Sequence, residues 1–309
     1  MKASLTKTSL LLALSACGVG FAQDAPNSPS EAEKAVASTP ASEGEQAVAE
    51  TLFSGNVLQA SNLLSSRQNV ALANGLTFAL LVGREVDENS PMRLPTFSKK
   101  DVASGAALLK EKNGLFDRNA ATMTSEADAF YLKPTRSNVL SMLRRVADEA
   151  LEEDSIWVVF SGNGVSYEGD AAFLPQGAKF DDPTTWIFES EVREILAESK
   201  AKNVVSVWLT HRRVYQVPNP TPRERRAIEA KEGAERVAIF ACSNGGSAWE
   251  AREAELDLFW SCFLTAANAS DKPLRGEALR RAFDEAAAKT SEATKANEFG
   301  PQKPEWQNF

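Results

Sequence analysis

Histidine is nearly absent from this chain, at one residue in 309, and cysteine occurs three times. A single imidazole cannot supply the cysteine–histidine spacings of zinc sites, so no metal and no cofactor are expected. Any histidine-dependent chemistry must use His211. Positive charge is also in deficit: 34 Lys and Arg face 42 Asp and Glu, for a formal charge of −8. That balance argues against nucleic-acid binding, which needs a basic face. The basic residues gathered at 212–226 read as a solvated loop.

What the N-terminus holds is an export signal. Lys2 and Lys7 precede the apolar run Leu10-Leu11-Leu12-Ala13-Leu14, followed by small residues, and the run is too short to span a bilayer. Two processing outcomes compete. Leu14-Ser15-Ala16-Cys17 resembles a bacterial lipobox, in which Cys17 takes a lipid and becomes the mature N-terminus. Gly20-Phe21-Ala22 fits ordinary cleavage, which discards Cys17 and sets residues 1–22 as the signal peptide. The chain is thus expected outside the cytoplasm: periplasmic, secreted, or lipid-anchored to a bacterial membrane through Cys17. Only Cys242 and Cys262 then remain in the folded part, where a disulfide and two separate buried thiols are both open.

Residues 23–50 are rich in Ala, Ser, Glu and Pro and poor in large apolar side chains. Such a stretch cannot offset its ordering entropy by burial and reads as a disordered linker. Residues 51–74 read as a helical lead-in. From residue 75 apolar strands and amphipathic helices alternate. The runs at 76–83, 155–160, 204–209 and 237–242 are continuous enough for strands buried on both faces. Helical stripes occur at 99–112 (Val102, Ala106, Leu109) and at about 137–151 (Val139, Leu143, Val146, Ala150), the latter capped by Thr135. Further helices are expected at Val192, Ile195 and Leu196, at 256–267 and at 274–290, and three prolines make 217–222 an irregular loop. This order predicts a mostly parallel sheet with helices on both faces. Functional loops then lie at the carboxyl ends of the strands, at 161–164, 210–213 and 243–246.

At those strand ends the sequence resembles the caspase/metacaspase family. Phe78-Ala79-Leu80-Leu81-Val82-Gly83 matches its opening strand, and Lys100-Asp101-Val102 stands where members have N-D-A. Lys133-Pro134-Thr135-Arg136-Ser137-Asn138 matches P-T-R-x-N, Ser161-Gly162-Asn163-Gly164 matches S-G-H-G, and Phe173-Leu174-Pro175 resembles y-L-L-P. Ala241-Cys242-Ser243 with Glu250 resembles A-C-S…E, and Gln302-Lys303-Pro304 the closing Q-x-P. The resemblance implies a caspase-like three-layer α/β sandwich over residues 75–306.

It also implies lost chemistry. Asn163 stands where the family has its general base, and Trp208-Leu209-Thr210-His211 is the best match to D-A-C-H, with Thr210 (or His211, shifted by one) at the nucleophile. An amide cannot accept a proton near neutral pH, and a hydroxyl needs a strong base to attack a carbonyl. Asp101 and Trp208 mark a vestigial pocket, where the indole replaces an aspartate of basic-specific members. Asn163 and Thr210 (or His211) are expected to face each other across adjacent strand ends. Locally, Asn163 reads as a turn residue tolerant of positive φ.

The resulting expectation is a non-catalytic pseudo-peptidase acting through a peptide or protein partner, as a regulator or scaffold. The competing enzyme is a cysteine endopeptidase with the fallback dyad His211 and Cys242 on neighbouring strand ends. A third reading is a structural domain whose cleft is filled by Trp208.

Overall fold

Each apolar run becomes a strand because both of its faces are covered. The computed structural model describes residues 75–84, 97–216, 233–297 and 300–309. In chain order its elements are β1 (Thr77–Gly83), α1 (Ser98–Asn113), β2 (Ala120–Thr124), α2 (Arg136–Glu149), β3 (Ser155–Gly162), β4 (Gly164–Tyr167), β5 (Asp170–Phe173) and β6 (Ile187–Phe188). Then come α3 (Glu189–Glu198), β7 (Asn203–Thr210), β8 (Glu235–Phe240), β9 (Glu250–Ala251), β10 (Leu256–Asp257), α4 (Leu258–Asn268), α5 (Gly276–Ala293) and β11 (Glu305–Asn308).

Among the described residues six strands form one sheet in the order β11-β8-β7-β3-β1-β2. Every pairing is parallel except that of β8 with β11. Alternation along each strand sends its side chains to two separate cores. Leu80, Val82, Val158, Phe160, Val204 and Trp208 pack with Val139 and Leu143 of α2 and Val192 of α3. Ala79, Leu81, Trp157, Val159, Val205 and Val207 pack on the other face with Val102 of α1, Phe259 of α4 and Leu279 of α5. The fold is the expected three-layer α/β sandwich.

Local chemistry sets the details. Thr135 accepts the Asn138 N–H at 3.4 Å and starts α2, a cap worth about 1 kcal/mol. Arg236, buried at the start of β8, donates to the carbonyls of Leu196, Ser199 and Ala201, satisfying the end of α3 and the turn after it. Gln302 ties three elements together: its side chain donates to the Ala241 carbonyl at 2.8 Å and accepts the Trp249 N–H at 3.0 Å, and its backbone N–H donates to Thr294 Oγ1 at 2.7 Å.

Some boundaries move. The strand expected at 155–160, β3, continues through Ser161 and Gly162, which pair with Leu209 and Thr210. The strand expected at 237–242 runs Glu235–Phe240 instead, set by its register with β7. The expected domain end at 306 cuts β11, which pairs with β8 through Asn308. Ala106 lies only partly in the core, and Leu108 takes part in its place. β2, β11, the antiparallel trio β4-β5-β6 and the pair β9-β10 were not anticipated. The signal peptide with Cys17, the linker, the helical lead-in and the proline loop lie outside the described residues. Among those residues no helix is long and apolar enough to cross a membrane.

Candidate functional site

The carboxyl ends of β1, β3, β7 and β8 bring together the residues the sequence singled out. Gly162 pairs directly with Thr210. A side chain at Gly164 would put its Cβ 2.6 Å from Thr210 Cβ and 2.8 Å from the Ala172 carbonyl, so only glycine lets Thr210 seat here. Gly162, with φ at 154°, lies close against the Phe173 ring and Arg84. The positive φ of this turn therefore belongs to glycine and not to Asn163, contrary to the local expectation.

Asn163 and Thr210 are each only 1% exposed. The Asn163 backbone carbonyl accepts the Leu174 N–H at 2.9 Å. Both polar atoms of the Asn163 side chain and Oγ1 of Thr210 are buried without a hydrogen-bond partner. Left alone, each such atom costs about 1–3 kcal/mol. Neither an amide nor a hydroxyl can serve as a base near neutral pH.

His211 and Cys242 turn to separate tasks. The Cys242 thiol is fully buried and donates to the Thr210 carbonyl at 3.4 Å. Burial pushes it up to about 12, with the nearby Arg212 pulling weakly the other way. His211 Nδ1 accepts the Ala248 N–H at 3.1 Å. Burial, reinforced by the charge of Arg213, holds its imidazole down at about 4. A thiolate nucleophile needs a cation or base beside it; here the thiol's acceptor is a neutral carbonyl, and the nearby Arg212 guanidinium does not offset the effect of burial. Cys242 and Cys262 are both free thiols, and Cys262 is only half-buried, on α4.

The two pocket residues are also engaged. Asp101, in the first turn of α1, accepts from Ser161 Oγ at 2.6 Å on one oxygen and from the Asp257 N–H at 2.9 Å on the other. Burial raises its carboxyl to about 6, opposed by those two hydrogen bonds. Asp257, which caps α4 through the Trp260 N–H at 3.0 Å, is raised well above the usual range by burial and by Asp101 beside it. Trp208 is wholly buried between Phe160 and Phe240, with ring centroids 4.5 and 6.2 Å away. Its indole is a rung of the core beneath the cleft.

The sequence reading put Arg212 in a solvated basic loop, whereas the fold buries it; Ser161 entered only within the Ser161-Gly162-Asn163-Gly164 match, and Arg84 and Asp257 were passed over. Arg212 is buried, forms an ion pair with Glu305 of β11, donates to the Cys242 carbonyl at 3.2 Å and lies 4.2 Å over the Phe240 ring. Arg84 donates to the Leu174 carbonyl at 2.8 Å. Only Asp257 carried a readable signal, as an acidic residue just before the run Leu258-Phe259-Trp260. Among the described residues no group of three or more His, Cys, Asp or Glu is placed to hold a metal ion.

No protein-family model and no curated protein matches the chain. Solved structures do. Protein GSU0716 from Geobacter sulfurreducens is similar at a TM-score of 0.53 and 14% identity, over 75% of this chain and 93% of that one. Caspase-1 from Spodoptera frugiperda is similar at a TM-score of 0.50 and 10% identity, over 76% of this chain and 86% of that one. At such identities the likeness is one of fold. With the mostly parallel six-stranded sheet, it defines a caspase-like α/β fold.

Proposed function

We propose that this chain is an exported, non-catalytic caspase-like protein that binds a peptide segment or partner protein at its strand-end cleft, as a regulator or scaffold. One observation carries the reading. Where a cysteine peptidase of this fold would hold its base and thiol, Asn163 and Thr210 offer a buried amide and hydroxyl with three unpartnered polar atoms. Once the cleft opens to admit a peptide, such atoms can hydrogen-bond its backbone but cannot move its protons or attack it. Export follows from the N-terminal sequence, Lys2 and Lys7 before Leu10-Leu11-Leu12-Ala13-Leu14.

The competing endopeptidase needs Cys242 ionised and His211 as its base. The thiol pushed up to about 12 and the imidazole occupied by the Ala248 N–H both weigh against it. The near-complete burial of Asn163 and Thr210 favours a different alternative, a purely structural domain.

Peptide-library digestion followed by mass spectrometry, with fluorescence-polarisation binding on the same peptides, separates the three. Saturable binding without turnover, weakened by Asn163→Leu, is the expected result. Cleavage that disappears in Cys242→Ala or His211→Ala would overturn the proposal, and neither binding nor cleavage would select the structural domain. Mass spectrometry of the mature N-terminus distinguishes a lipid on Cys17 from cleavage near Ala22.

A further inference from the structure

At the opposite end of the parallel strands, a cavity of about 650 Å³ opens between the last turn of α1 and the first turn of α5. That volume lies within the range of small-molecule sites, roughly 300–1,000 Å³. Four cations line it, Lys112, Lys272, Arg275 and Arg281, against one carboxylate, Glu277. In a chain of net charge −8 this is a local reversal of sign.

Lys272, Arg275 and Arg281 are near one another in sequence, and the fold brings Lys112, at the end of α1, to join them. Lys112 Nζ is partly committed, donating to the Ser270 carbonyl at 3.0 Å and pairing with Glu111 at 3.0 Å. Lys272 and Arg281 have no carboxylate partner among the described residues. Phe116 adds an apolar ring to the wall while staying 47% exposed. The 18-residue α5 also begins here, and its first N–H, at Gly276, donates to the Glu235 carboxylate at 2.7 Å. The first N–H of the helix is thus already taken by a carboxylate, and the side-chain cations are what remain for a ligand.

We propose that this cavity binds a small organic phosphate, its charged group held by Lys272 and Arg281 and its apolar part resting on Phe116. A guanidinium fork matches phosphate oxygens in pairs, and a flexible ammonium adds charge without fixed geometry. A monocarboxylate would offset only one of the two cations without a carboxylate partner among the described residues, Lys272 and Arg281, whereas a phosphate group brings about two negative charges at neutral pH. The site lies apart from the strand-end cleft, and its occupancy does not depend on what that cleft does.

Calorimetric titration of the full chain at low salt, with ATP and with inorganic pyrophosphate as probes, tests this. ATP is expected to bind saturably. Lys272→Glu combined with Arg281→Glu alters two exposed side chains and should weaken both probes by about tenfold or more, the usual effect of losing charge-assisted contacts. Phe116→Ala should weaken ATP several-fold and leave pyrophosphate unchanged, whereas Lys303→Glu, on an exposed residue away from the cavity lining, should change neither. Thermal melting verifies that each variant is folded. No saturable binding of either probe at millimolar concentration overturns the proposal, as does binding indifferent to the double charge reversal. Equal affinity for both probes with no response to Phe116→Ala also overturns it, leaving a generic anion patch.

Discussion

The thiol of Cys242 donates its hydrogen to the carbonyl of Thr210, joining the ends of two adjacent parallel strands at 3.4 Å. The contact occupies the sulfur with a neutral acceptor in a site closed to solvent, and burial keeps the thiol protonated, at about 12. Native Cys242 should therefore react with iodoacetamide at neutral pH slower than in the unfolded chain by on the order of a thousandfold, since only the thiolate attacks. Alkylation followed by peptide mass spectrometry reads this directly, and rapid native labelling at Cys242 would contradict the buried geometry.

A second measurement exploits the single histidine. The His211 imidazole sits at about 4, below its ordinary 6.5. Between those values the unfolded chain takes up a proton that the native state does not. Stability from this group is complete above pH 6.5 and is lost as pH falls toward 4, with a slope of up to about 1.4 kcal/mol per pH unit. The single imidazole resonance should show no titration from pH 8 to 5, and His211→Gln should flatten the acid limb of the denaturation profile.

Asp101 acts in the opposite direction. Its carboxyl is raised from 3.8 to about 6, so between those values the native state keeps a proton that the unfolded chain releases. Its contribution is complete below pH 3.8 and is lost as pH rises through 6. Asp101→Asn should remove that downward slope, leaving stability rising more steeply with pH between 4 and 6 than in the parent chain. Denaturant midpoints across this window, with Asp101→Asn and His211→Gln compared separately, resolve the two opposed effects.

Trp208 gives a prediction about packing. Truncating a wholly buried indole stacked between two phenylalanines should cost about 3–5 kcal/mol in Trp208→Ala. Trp208→Phe, which keeps an aromatic rung, should cost less than half as much. A loss below about 1 kcal/mol for the alanine variant would place the indole outside the core.

Gly164→Ala addresses the close approach at the candidate site. A methyl there meets Thr210 Cβ at 2.6 Å and the Ala172 carbonyl at 2.8 Å, and backbone atoms cannot step aside as a flexible side chain would. The substitution should destabilise by about 1–3 kcal/mol. Gly164 has no positive φ, so the loss read by urea denaturation is steric, whereas Gly169→Ala, where φ is 79° and the added Cβ meets nothing within 4 Å, reports backbone strain alone.

The order of strands and helices was legible because each long apolar run is buried on both faces and each main helix carries one apolar stripe. β1, β3, β7 and β8 follow from that pattern. The Thr135 cap and the stripe of Val139, Leu143 and Val146 were readable for the same local reason. By contrast β11, Glu305-Trp306-Gln307-Asn308, is an edge strand of mostly polar residues that exists by pairing with β8. β2, with Ala-Ala-Thr-Met-Thr, is defined likewise by its register on β1. Strand propensity in such segments is too weak to announce itself without the partner.

By itself the sequence determined which chemical groups exist: one imidazole, at His211, and an amide and a hydroxyl at positions 163 and 210. Tertiary structure alone decided what each group faces. It turned Cys242 toward a carbonyl, set Ser161 and the Asp257 amide on the carboxylate of Asp101, and closed Trp208 between two rings. It also brought Lys112 to the cavity lined by Lys272, Arg275 and Arg281. The physical reason is that burial and charge environment depend on neighbours distant in the chain, so proton affinity and reactivity are fixed only once the sheet has assembled.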